Sequence, residues 1–365
     1  MTAGSCYHAG VPVRGFSLCS ALFTVLLVFG CDSANGRPLG GIGGSGGSDV
    51  GGAAGNFGAG GQAGRGGVDA CEQASGAWRA PEEAPTLRCL DRSCRPWSQE
   101  EYIKASNAGL NDLFGASVAL DADTLVVGAW DETSAATGID GNQDDDSAYS
   151  SGAAYIFERV DNTWKQTAYL KASNTRTLTT FGRAVAAAPN LVVVGAEYED
   201  GSGRGVNADQ GLFEATNSGA AYVFERVDEG WVQTAYLKAP NADAGDRFGT
   251  SVAAARDTIV VGARGEDSGA TGIDGEQGDN EVSDAGAAYV YRRDQRRWKM
   301  VAYVKPSSTH ELDVFGSAVA LSGDTVSVGA HLDDSGAVGI GGDPDTPGFG
   351  DNSGAVYTFI THAAW

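Results

Sequence analysis

Carboxylates crowd four loops of this chain, and they recur in register. Glu132, Glu199, Glu266 and Asp333 stand 67 residues apart. A second set follows at the same spacing: Asp140, Asn207 and Asp274. The first loop adds Asn142, Asp144 and Asp145. The second adds Asp200 and Asp209, the third Asp267 and Asp279, and the fourth Asp334 and Asp343. Several oxygen ligands on a tight, glycine-bearing loop suit a hard cation, and calcium is the candidate cofactor. The spacing is not the twelve-residue EF-hand pattern. The same residue types also make solvated acidic loops closed by Asx turns. Sites of this kind in extracellular modules bind weakly, on the order of 0.1–1 mM.

Other chemistries find little purchase. Of four histidines, His8 lies near the start, and His310, His331 and His362 fall in the last repeat without counterparts. No Gly-x-Ser-x-Gly elbow, His-Glu-x-x-His pair or phosphate loop is present. The reading is therefore non-catalytic, with a hydrolase as the weakest of the alternatives. The net charge of -22 argues against nucleic acid, whose affinity comes from cationic side chains on phosphates.

The elements that carry these loops repeat with the same period. Phe-Gly recurs at 114, 181, 248 and 315. Tyrosine recurs at 102, 169, 236 and 303, and tryptophan at 97, 164, 231, 298 and 365. In the first repeat, 114–120, 124–129, 153–159 and 164–171 read as strands, from short β-rich runs bounded by turn residues. In the fourth strand, Trp164, Ala168 and Leu170 fall on one face, with Lys165, Thr167 and Lys171 on the other. Four strands per unit predict an all-β β-propeller of four blades, with the periodic aromatics as core between blades. The strand at 97–105 matches the fourth strand of a blade that has no other strands. It is expected to complete the last blade and close the ring. An open stack of four units and a larger ring made by two chains are the rivals.

Upstream of the repeats, Arg14 precedes an apolar run at 16–30 that suits an export signal. Leu27-Val28-Phe29-Gly30-Cys31 resembles a bacterial lipobox, with Phe29 departing from the usual small residue. That resemblance implies removal of 1–30, lipidation at Cys31, and a membrane anchor in the bacterial envelope or at the cell surface. An unlipidated signal or an uncleaved anchor is the other reading. Residues 31–68 form a linker, with 16 glycines in the 33 residues from 36 to 68. Such a coil reaches roughly 30 Å. Residues 69–96 form a neck with Cys71, Cys89 and Cys94, an odd number of thiols in an oxidising setting. The repeat domain is 97–365.

The strings Phe-Gly-x-x-Val-Ala, Val-Gly-Ala and Gly-Ala-Ala-Tyr recur in order, the last at Gly152–Tyr155, Gly219–Tyr222, Gly286–Tyr289 and, as Gly-Ala-Val-Tyr, Gly354–Tyr357. They resemble FG-GAP repeats, the units of integrin α propellers and of many bacterial surface proteins. The resemblance implies a binding or adhesion module, its partner an unknown protein or glycan, or else an envelope scaffold with no small ligand. Two features differ from integrin-type propellers. Those have seven blades, and their calcium loop precedes the Val-Gly-Ala strand, where this chain has only short turns such as Asp121-Ala-Asp123.

Overall fold

The computed structural model describes residues 98–228, 230–347 and 352–360. The export segment, Cys31, the glycine-rich linker and the cysteine neck lie outside the described residues. Fifteen strands form four separate antiparallel sheets, and no helix occurs among the described residues.

Sheet one is built of β1 (Ser117–Asp121), β2 (Thr124–Ala129), β3 (Ala153–Val160) and β4 (Thr163–Leu170), paired in sequence order. Each connection within a sheet joins neighbours, by tight hairpins between the first and second and the third and fourth strands and by a long loop between the second and third, so every pair is antiparallel. The β3–β4 turn places Asp161 and Asn162 at φ of 52° and 60°. Consecutive left-handed residues make the tight turn that matches strand twist, which Asp and Asn tolerate. Sheet two repeats the plan with β5 (Ala184–Ala188), β6 (Leu191–Ala196), β7 (Ala220–Val227) and β8 (Gly230–Leu237). Sheet three has β9 (Phe248–Ala255), β10 (Thr258–Ala263), β11 (Ala287–Asp294) and β12 (Arg297–Val304). Sheet four has three strands, β13 (Ala318–Ser322), β14 (Thr325–Ala330) and β15 (Ala355–Ile360).

The second strand of the first three sheets is the apolar run that the sequence places between two buried faces. Val192, Val193 and Val194 of β6 are all fully buried. One face joins the cluster shared with sheet one and the other the cluster shared with sheet three. Sheets three and four share a further cluster. The recurrent aromatics are core. Phe181 meets Tyr222 edge-on at 5.2 Å, and Tyr222 lies 5.3 Å from Tyr236. The same triad recurs as Phe248, Tyr289 and Tyr303.

Glycine sets how closely adjacent sheets approach. A Cβ on Gly128, Gly195 or Gly262 would stand 2.1, 2.0 or 1.9 Å from the carbonyl oxygen of Gly182, Gly249 or Gly316 in the next sheet. Those acceptor glycines are themselves held at φ of 90°, a region that disfavours side chains. The Phe-Gly motif thus serves twice, as ring packing and as backbone contact.

Residues 98–105 are not a strand among the described residues, and β15 has no fourth partner. Ile103 and Ala105 instead pack on sheet one, against Phe157 and Trp164. The arrangement does not show the closure expected from 97–105.

Candidate functional site

The long loop after the second strand and the segment that leads into the next sheet emerge at the same end of each sheet. Backbone bonds tie them: Thr180 N–H donates to Ser150 and Phe181 N–H to Ser151, at 3.1 and 3.0 Å. This end carries the recurrent carboxylates. The opposite end, where β3 turns into β4, carries arginines. There Arg159 lies 4.7 Å from the Trp164 ring and Arg293 5.0 Å from Trp298. Arg226 pairs with Glu158 and Arg293 with Glu225, each across to the preceding sheet.

The acid of the first register is buried and fully engaged. Glu199 is 1% exposed. Its Oε2 accepts from Lys238 Nζ at 3.0 Å and from Gly201 N–H at 2.9 Å. Its Oε1 accepts from the Tyr236 hydroxyl at 2.9 Å and from Asn174 Nδ2 at 2.8 Å. Lys238, 0% exposed, also donates to Ser218 Oγ and the Gly219 carbonyl, both at 2.6 Å. Asn174 belongs to the segment leaving the preceding sheet, and its Oδ1 accepts from Tyr222. One carboxylate therefore joins the long loop, the outer strand and the chain arriving from the neighbouring sheet.

The first and third repeats build the same network. Glu132 holds Lys171, Tyr169 and Asn107 at 2.8, 2.8 and 2.9 Å. Glu266 holds Lys305, Tyr303 and Asn241 at 2.9, 2.8 and 2.9 Å. Burial lowers the pKa of all three lysines, and the adjacent glutamate opposes that shift. Burial and the nearby glutamate push the tyrosines upward, so their hydroxyls stay donors. The strand register read from sequence put Trp164, Ala168 and Leu170 on one face and Lys171 on the other, and Lys171 does face away from Ala168 and Leu170. A bulge between Gln166 and Ala168 instead moves Trp164 off the Ala168 and Leu170 face and onto that of Tyr169 and Lys171, which is buried at this end of the strand.

The second register is also spoken for by the chain. Asp140 Oδ1 accepts from Tyr169 N–H at 2.9 Å, and Asp140 N–H donates to the Tyr169 carbonyl at 2.8 Å. Asn207 grips Tyr236 and Asp274 grips Tyr303 in the same way. All three sit at φ between 52° and 56°, which Asp and Asn accept. The preceding residues Ile139, Val206 and Ile273 form single bridges to Leu170, Leu237 and Val304. The long loop thus folds back along the outer strand and covers part of an otherwise open sheet edge.

The remaining acids shape loop turns. Asn142, Asp145, Asp209, Asp279 and Asp343 each accept the N–H two residues ahead. Asp200, Asp267 and Asp334 accept from the N–H groups of Asn217, Asp284 and Asn352. Asp144 is exposed. Among the described residues, no three acidic, histidine or cysteine side chains gather as a metal set. A site drawing on Glu132 and Asp140 together does not fit this arrangement, since a lysine and a backbone amide already occupy their oxygens. Asp144, Asp209 and Asp343 do face solvent.

A further buried acid was not read from the sequence. Asp246 is 3% exposed and accepts from Asp243 N–H at 2.8 Å. Burial is the main cause that raises its pKa to about 8, with Glu266, Asp243 and Asp267 adding to the rise and the amide bond opposing it. The folded value lies above the ordinary 3.8, so the folded state holds the proton more tightly. Stability is greatest below about pH 4 on this group's account and is lost as pH rises through about 8. Asp246→Asn keeps the acceptor and removes the titration. Its unfolding midpoint, measured against pH, is expected to fall less over that interval than that of the parent chain.

The FG-GAP repeat family matches residues 97–157, 164–224, 231–291 and 298–359. The chain belongs to the FG-GAP repeat family. Its sheets are the blades of a β-propeller-type repeat, a class that is typically non-catalytic. No curated protein matches the chain.

Proposed function

We propose that this protein is a non-catalytic binding or adhesion module of a bacterial envelope, held to a membrane through a lipid on Cys31. The observation that carries this reading is the polarity of the blades. One end presents the long loops and their outward acids, including Asp144, Asp146, Asp209, Asp343 and Asp345. Binding surfaces are commonly loops set on a rigid scaffold. The buried Glu–Lys–Tyr network supplies that rigidity beneath the loops. The ligand is a protein or a glycan that approaches this end, with calcium recruited by the outward carboxylates. An envelope scaffold without a small ligand is the competing role, and the Asx turns within the loops favour it where no cation is bound.

A glycan array probed with the purified chain, in millimolar calcium and in excess EGTA, tests the reading. Discrete binding that is lost on Asp144→Asn with Asp145→Asn and Asp146→Asn supports it. Binding that survives those changes places the ligand elsewhere. Calcium is tested apart from any ligand by thermal unfolding. A cation that binds only the folded chain raises stability by about 2.7 kcal/mol at one hundred times its dissociation constant. A raised midpoint in calcium is expected, and identical midpoints would remove calcium from the account.

A further inference from the structure

Three aromatic residues at the loop end break the period. Trp130, Tyr149 and Tyr198 have Glu197, Thr216 and Gly265 as their counterparts one blade on. The recurrent aromatics are core, so the blade fold requires those and not these three. Together they line a cleft of about 400 Å³ where blades one and two meet, within the range of small-molecule sites, ~300–1,000 Å³. Tyr149 is 62% exposed there.

The walls of the cleft are fixed before any ligand arrives. Leu178 N–H donates to the Tyr149 carbonyl at 2.8 Å, and the Ser150 hydroxyl donates to Asp131. The Arg183 guanidinium lies 5.5 Å from the Trp130 ring and is paired with Glu197 at 3.0 Å. That of Arg247 lies 5.9 Å from the Tyr198 ring. Such contacts favour one orientation of a ring, and a site already ordered loses less freedom on binding. A polar group here is unsatisfied. Thr180 lines the cleft and is 4% exposed, and its hydroxyl has no hydrogen-bond partner among the described residues. A buried hydroxyl left unpaired is costly, and a polar ligand at this point would supply the missing bond. Asp131 and Asn217 add a carboxylate and an amide to the same lining.

We propose that this cleft binds a neutral pyranose unit of a glycan. The C–H face of a sugar ring stacks on aromatic side chains, while its hydroxyls pair with a carboxylate, an amide and a threonine hydroxyl. An apolar protein side chain would cover the rings and leave those polar groups unpaired. The net charge of -22 and the presence of Asp131 in the wall disfavour a sugar acid. The site rests on the reading of the loop end as the binding face, and it makes the ligand of that face a glycan.

An array of neutral and acidic oligosaccharides, probed with the full chain in detergent and millimolar calcium, tests this. Binding to neutral members is expected. Tyr149→Thr and Tyr198→Leu are each expected to weaken that binding by about ten-fold, as for the loss of one aromatic contact. Blades two and four carry Thr216 and Leu332 at these places, so both variants fold, and unfolding midpoints equal to the parent's check that. An array on which only acidic members bind would overturn the proposal. So would one on which nothing binds, which leaves a protein as the ligand of the module. Binding that survives both substitutions would also overturn it. If that same binding is lost on neutralising Asp144, Asp145 and Asp146, the loop end stands as the binding face without this cleft.

Discussion

Lys238→Met is expected to destabilise the second blade by about 3–5 kcal/mol, the cost of leaving a buried charge without its partner. The magnitude follows from the surroundings. Lys238 and Glu199 are almost wholly removed from water and stand 3.0 Å apart. Removing the ammonium leaves a carboxylate facing only a tyrosine hydroxyl, an asparagine amide and one backbone N–H. Two side-chain bonds to Ser218 and Gly219 are lost as well. Glu199→Gln combined with Lys238→Met removes both charges and is expected to recover much of the loss. Thermal or denaturant unfolding of the two variants beside the parent chain checks this. A single substitution that costs no more than a surface pair, below about 1 kcal/mol, would show that the network is not rigid.

Gly195→Ala is expected to be equally severe for a different reason. Its backbone is ordinary strand, so the methyl is disfavoured by space alone. The Cβ would stand 2.0 Å from the Gly249 carbonyl oxygen, which is main chain and cannot rotate away. The blades must separate, and overpacking costs about 1–3 kcal/mol, with a backbone clash this close at the upper end. Gly329 is the internal comparison. It holds the same place in blade four, where an added Cβ meets only Ala318 at 3.5 Å. Gly329→Ala is therefore expected to leave the folding of its own blade unchanged. The unfolding midpoints of the two variants decide whether contact between blades, rather than strand propensity, requires these glycines.

Much of the fold was legible because the period repeats every signal four times. The second strand of blade one was read to its ends, since Thr124–Ala129 is a bounded apolar run. The first was read three residues early, because Phe114 packs as core while standing before the ladder. The candidate site was legible as a pattern and not as an arrangement. The register of Glu132, Glu199 and Glu266 is visible in sequence, but a repeated acid suits a cation as well as a lysine. The lysine was also periodic, at 104, 171, 238 and 305. Simple alternation grouped Lys171 with Lys165 and Thr167, whereas the bulge groups it with Trp164 and Tyr169, on a face that is buried at Tyr169 and Lys171. Asp140, Asn207 and Asp274 look like ligands because they combine an oxygen with a glycine-rich loop. Those same properties let a loop turn through positive φ and clasp a strand edge. Only the placement of Tyr169 N–H distinguishes the two uses.

The central claim is that the recurrent buried acid is a clamp made by the protein's own lysine and tyrosine, on which the outward loops are carried. A double-mutant cycle on Glu199 and Lys238, measured by unfolding in excess EGTA, tests it most directly. The account predicts a coupling of about 2 kcal/mol or more with no metal present. A coupling near zero in EGTA that appears only with calcium would contradict it and would return Glu199 to the role of a metal ligand.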